Sequence, residues 1–502
     1  MENNKTQSKK STANTKKSSV TKSNKINEYT YYAEDIPVEI TITYEQDEFV
    51  PIYSMNVSVI SDTTLLILEK VRQELIKKVN LGIAEISDYK KHDAIEEKFE
   101  DMIRVLIDKY FPDSDEETGK FLRTYLKIES LGLGNLELLM NDWNLEEVVI
   151  NQSDEPVWVY HKKYGWLKTN VLLKNEDQIK HYASIIGRRV GRQISVLKPL
   201  LDANLDEGDR VNATLNPVST AGNTITIRKF SRDPWTITKF LKSKTIDPDS
   251  LALIWTAIQY EMSALIAGGT ASGKTSALNV LSSFFPPNQR IISIEDTREL
   301  QLADNLHWVP LETRLPNPEG KGGVSMLDLL VNSLRMRPDR IVVGEIRRKQ
   351  EAQVLMEAMH TGHSVYATIH ANTAEETVTR LTNPPIEIPK QMLSSLAMVL
   401  VQNRNRRTGK RRALQVAEIT STGDARVLLQ LNAMKDSLEK VAESEQVLKL
   451  ISLYTGMTRE QLEQDLRHKE EILKWMVSNR IFDINEIGKV MAKYYLGTLK
   501  IK

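Results

Sequence analysis

Residues 268–275 read GGTASGKT and match the pattern G-x-x-x-x-G-K-[ST] at every fixed position. Glycines 268, 269 and 273 let the backbone curl, so that successive N–H groups and the positive end of the following helix face phosphate oxygens. Lys274 then reaches the β and γ phosphates as a point charge, and the Thr275 hydroxyl takes one position on Mg²⁺. Thr270, Ala271, Ser272 and Ser276 complete the binding set, and the expected ligand is ATP with Mg²⁺.

The flanking residues are those such a loop needs. Residues 263–267 (SALIA) form a short apolar strand, and 276–281 (SALNVL) read as the first turns of a helix. Three further apolar strands each run into polar residues: 290–294 into Glu295 and Asp296, 341–343 through Gly344 into Glu345, and 365–369 into His370. Helices expected over 325–336 and 350–360, the latter stopped by Gly362, make these βα repeats of a parallel sheet. Ligands bind beyond the carboxyl ends of such strands, so the four strand ends should converge on one site.

Chemistry can then be assigned by position. Glu345 follows an apolar strand and can orient or deprotonate an attacking water. Gly344 stands where an aspartate would ligate Mg²⁺ directly, which leaves the metal to Thr275, to water, and to Glu345 or Glu295 through water. One of Glu295 and Asp296 could also serve only to cap the next segment. His363 and His370 flank the last strand, where an imidazole can report a γ-phosphate by hydrogen bonding. Their spacing of seven is not a helical metal pair, and zinc is rejected for want of a third ligand. Arginines suited to spread phosphoryl charge are Arg210 and Arg228 upstream and Arg335, Arg337 and Arg347 around Glu345, each of which could instead be a surface ion pair.

The whole chain sets the frame. Its 502 residues hold 67 Lys plus Arg against 67 Asp plus Glu, so no global basic field draws it to nucleic acid, and none is expected as partner. Cysteine is absent, which excludes disulfides and cysteine-bound zinc. No apolar run approaches the ~18 residues of a membrane span, so the expected location is cytoplasmic, peripheral to a membrane through a partner. Residues 1–27 carry seven lysines and almost nothing apolar, which reads as a disordered basic tail. A mainly helical domain is expected over 28–140, a small α+β domain over 141–241, the nucleotide-binding domain over 242–424 and a helical bundle over 425–502. Thr458-x-x-Gln461 and Asp483-x-x-Glu486 should open two of its helices.

Several of these segments resemble a known family. TGHSVYATIHANTAEE is similar to the histidine box, IISIEDTREL to the aspartate box and SLRMRPDRIVVGEIR to the atypical Walker B segment of the secretion ATPase superfamily, which serves type II and type IV secretion, type IV pili and the archaellum. LDANLDEGDRVNAT and NTITIRKF resemble its second amino-terminal domain, and the segments at 50–76 and 455–477 resemble the archaeal pilus and archaellum or Tad-like branch. The resemblance implies an α/β fold with a RecA-like P-loop domain. It also implies Lys274 and Thr275 on phosphate and metal, Glu345 as catalytic acid, Glu295 in support, His363 and His370 in sensing, and Arg210 and Arg228 on the nucleotide. Finally it implies a homo-hexameric motor acting on a polytopic inner-membrane platform protein and, through it, on pilin-like subunits. The competing expectations are a nucleic-acid translocase or helicase, and an ATP-binding assembly subunit that does not hydrolyse.

Overall fold

The computed structural model describes residues 24–46, 48–57, 61–78, 92–205, 208–230, 233–317 and 320–501. Most of the expected basic tail therefore lies outside the described residues. The chain forms two compact units, 1–230 and 231–502.

The first unit is built on one nine-stranded sheet. Its strands are β1 (Asn24–Ala33), β2 (Ile36–Tyr44), β3 (Ile52–Asn56), β4 (Leu145–Ile150), β5 (Trp158–His161), β6 (Gly165–Thr169), β7 (Leu200–Asn204), β8 (Arg210–Thr214) and β9 (Thr224–Arg228). They lie in the order β1-β2-β3-β6-β5-β4-β9-β8-β7, antiparallel except where β3 meets β6. Alternation decides which face is buried: Ile36, Val38, Ile40 and Ile42 of β2 are all fully buried. They share one core with Val71, Leu75, Ile103 and Leu106 of the helices Asp62–Lys78 and His92–Tyr110. The strands of 24–56 and those of 145–228 thus belong to one sheet and one core, although the helices between them dominate the local sequence signal. Buried Asp142 ties the two together, accepting from Tyr29 Oη at 2.6 Å and Tyr53 Oη at 2.7 Å.

The second unit carries the phosphate loop. Its strands are β10 (Ala264–Gly268), β11 (Arg290–Glu295), β12 (His307–Glu312), β13 (Arg340–Val343), β14 (Ser364–Ile369), β15 (Met398–Arg404), β16 (Arg411–Ile419), β17 (Ala425–Asn432) and β18 (Ser437–Lys440). The order is β12-β11-β13-β14-β10-β15-β16-β17-β18, with the first six parallel and the last three added antiparallel. β10 and β14 are buried along their whole length, as strands covered by helices on both faces must be. Helices Met326–Ser333, Lys349–His360 and Ala374–Thr382 cover one face. Helices Pro248–Gln259, Lys274–Ser282, Arg459–Ser478 and Ile484–Tyr495 cover the other.

The carboxyl-terminal helices begin at their expected caps. Thr458 and Gln461 close a capping box, and Asp483 accepts from the backbone N–H groups of Asn485 and Glu486. They dock on Pro248–Gln259 through fully buried Lys469, whose ammonium donates to Thr256 Oγ1 at 2.8 Å and Asp465 Oδ2 at 2.6 Å. Tyr495 Oη donates to the Phe284 carbonyl at 2.5 Å, just past the end of helix Lys274–Ser282.

Candidate nucleotide site

Because β11, β13, β14 and β10 run parallel, their carboxyl ends share one edge of the sheet, and the phosphate loop leaves from β10 at that edge. The loop is glycine-dependent at defined points. A Cβ on Gly268 would stand 2.4 Å from Ser272 Oγ and 2.5 Å from the Gln402 carbonyl oxygen, so no larger residue fits. Gly273 holds φ at +93° immediately before helix Lys274–Ser282, whose first turn has no side-chain cap. Uncapped N–H groups and a helix dipole in this arrangement favour an anion.

Lys274, His370 and Glu345 form a connected group. Lys274 Nζ lies 3.0 Å from the Gly269 carbonyl oxygen and 3.4 Å from His370 Nδ1. His370 Nε2 lies 2.9 Å from Glu345 Oε1. Burial, reinforced by the Lys274 charge, holds the His370 pKa below its ordinary value despite Glu345. A neutral ring with Nδ1 accepting from Lys274 and Nε2–H donating to Glu345 satisfies both partners. Burial likewise lowers the Lys274 pKa, against the attraction of Glu345 and Glu299.

The other oxygen of Glu345 is bound by Arg347, with Nε at 2.8 Å and the nearer terminal nitrogen at 2.7 Å. The third guanidinium nitrogen of Arg347 bonds Asp296. Of the arginines expected around this strand, only Arg347 follows its carboxyl end; Arg335 and Arg337 precede β13, at the opposite edge of the sheet. Glu295 is 2 % exposed and turns its carboxylate toward its own loop, Oε1 accepting from the N–H groups of Glu299 at 2.9 Å and Leu300 at 3.1 Å. Its Oε2 has no partner among the described residues, and burial pushes its pKa up to about 7. A Cβ on Gly344 would meet Cα and Cγ of Glu295 at 3.5 Å, an ordinary van der Waals contact.

The remaining expected residues lie elsewhere. His363 precedes β14, and its Nδ1 lies 3.2 Å from Thr361 Oγ1 and 3.3 Å from the Ala358 carbonyl oxygen. The seven residues to His370 span roughly 20 Å of extended chain, so the structure does not bring the two imidazoles together. Arg210 and Arg228 belong to the first unit, where they are cross-strand partners, both exposed, on β8 and β9. Arg210 is paired with Asp202 at 3.0 Å.

Two residues beside the loop were not singled out by the sequence. Arg411 Nε donates to the Ala271 carbonyl at 3.1 Å, and Gln402 pairs with Gly268 across β10 and β15. Their only sequence signal is a basic hairpin, and strand order alone places it beside the loop. The oxygen donors at this edge, the Thr275 hydroxyl and the Glu345 carboxylate, suit Mg²⁺ with its shell completed by phosphate and water. Among the described residues, no three His, Cys, Asp or Glu side chains gather as a separate metal centre.

Comparison with known proteins places this architecture. An uncharacterised protein of Methanocaldococcus jannaschii is 33 % identical over 413 residues, covering 80 % of this chain and 74 % of its own length. The type IV secretion system protein PtlH of Bordetella pertussis is 33 % identical over 274 residues, 50 % of this chain and 80 % of that one. Among solved structures, the Legionella pneumophila ATPase DotB is 19 % identical with a TM-score of 0.44, covering 67 % of this chain and 87 % of that one. The pilus retraction motor PilT with bound ADP is 18 % identical with a TM-score of 0.42, covering 66 % and 92 %. A family model described as "Type II/IV secretion system protein" matches residues 168–469, more than half of the sequence, and the chain belongs to that family.

Proposed function

We propose that this protein hydrolyses ATP to ADP and phosphate and uses the cycle to power assembly of a type IV pilus-like filament, or secretion of its subunits. The observation that carries the reading is the contact chain from Lys274 through His370 to Glu345 across one edge of the parallel sheet. It joins a phosphate-binding cation to a carboxylate able to activate water.

In this reading the N–H groups of residues 268–275 and the uncapped first turn hold the phosphates. Lys274 leaves the Gly269 carbonyl for the terminal phosphates, and His370, losing that neighbour, registers their arrival. Thr275, and Glu345 through water, would hold Mg²⁺, which would supply charge stabilisation to the phosphoryl group. Glu345 orients water and takes its proton, while Glu295 braces the turn behind it. The family resemblance assigns Arg210 and Arg228 to nucleotide contact, a role that planar guanidiniums suit. The working form is a homo-hexamer in the cytoplasm, pressing on a polytopic inner-membrane platform protein that handles pilin-like subunits. Among the described residues no helix is long and apolar enough to cross a membrane.

Phosphate release by the purified protein tests the reading. Glu345→Gln should lose on the order of 10²–10⁴-fold in kcat with nucleotide binding retained, and Lys274→Ala should lose binding itself. Equal rates for the wild type and Glu345→Gln would sink the enzymatic assignment.

A further inference from the structure

We propose that Arg347 is a positioning residue that parks Glu345 against Asp296 in the nucleotide-free protein and gives it up when a triphosphate brings Mg²⁺. The inference rests on the ATPase reading above and adds a resting state to it.

Three observations carry it. First, one guanidinium spans two carboxylates from different strand ends, Glu345 after β13 and Asp296 after β11, so its fork does what a small cation between them would do. Second, Glu345 has a cation or an imidazole on each oxygen, His370 on Oε1 and Arg347 on Oε2, and is not poised toward open solvent. Third, the backbone at this point is fixed while the side chain extends into partial exposure. The Glu351 carboxylate accepts from the N–H groups of Arg347 and Arg348, each at 3.0 Å, but the Arg347 side chain is 56 % exposed. A divalent cation competes for the same oxygens with twice the charge.

The consequence is a site that discourages bare metal. With Arg347 in place the two carboxylates are partly neutralised, so free divalent cation binds poorly, whereas a metal carried by phosphates is also drawn by the loop and Lys274. Loading is thereby tied to the arrival of metal and nucleotide together.

The test is Mn²⁺ binding to the full chain without nucleotide, followed by electron paramagnetic resonance of the free ion. Arg347→Ala should bind Mn²⁺ about tenfold tighter than the wild type or better, and adding Glu345→Gln to it should abolish the gain. Arg347→Lys keeps the charge but cannot span both acids, so it should fall between. If Arg347→Ala does not fold, Arg347→Lys against wild type carries the comparison. Affinity that is unchanged or weaker in the variants overturns the proposal. A fluorescent ATP analogue titrated into the wild type separates the two readings: failure to bind it removes the ATPase assignment, whereas binding it with unchanged Mn²⁺ affinities removes only the parking role.

Discussion

Glu295 is a carboxyl whose burial should be visible in solution. Desolvation lifts its pKa to about 7 from an ordinary 4.5, although the N–H groups of Glu299 and Leu300 pull the other way. Between those two values the folded protein binds more protons than the unfolded chain, so stability falls as pH climbs through that window and the penalty is complete above 7. Glu295→Gln stays neutral throughout and should remove the slope, gaining on the wild type by up to about 3 kcal/mol between pH 5 and pH 8. Urea midpoints at the two pH values measure it; a constant difference would show that Glu295 titrates normally. Asp296, one residue on, faces Arg347 instead, so adjacent acids at one strand end do different work.

Lys469 makes the corresponding case for a whole helix. Burial lowers its pKa to about 8 from 10.5, against the attraction of Asp465, while it docks Arg459–Ser478 onto Pro248–Gln259. Between about 8 and 10.5 the unfolded chain binds more protons, so stability should rise with pH there. Relative to Lys469→Met, which lacks the titration, the wild type should gain on the order of 2–3 kcal/mol between pH 8 and pH 10.5, read as a widening gap in Tm. Elements of this kind were readable in the sequence where local signals sufficed. The strand expected over 263–267 is β10 at Ala264–Gly268, and the strand ends carrying Glu295, Glu345 and His370 converge as parallel topology requires. β12 gave no such signal, because Pro310 interrupts it and its residues are only partly buried. The run leading into β15 (MLSSLAMVLVQ) suits helix or strand, and its neighbour across the sheet decides. Pairings such as Arg347 with Asp296, 51 residues apart, lie beyond any local pattern.

For the molecule as a whole, the two compact units have separate cores, one around the β2 face and the others on the two faces of β10. Calorimetry should resolve two transitions, and MgATPγS should raise that of the phosphate-loop unit the more. At a hundredfold excess over Kd the stabilisation should be about 2.7 kcal/mol; equal shifts in both would show that the units melt together. The second sheet also has a particular perimeter. One border is the proline-bearing β12 and the other is the four-residue β18. Such blunt margins are poor templates for recruiting a foreign strand. The second sheet is thereby guarded against edge-to-edge fusion between copies of this chain.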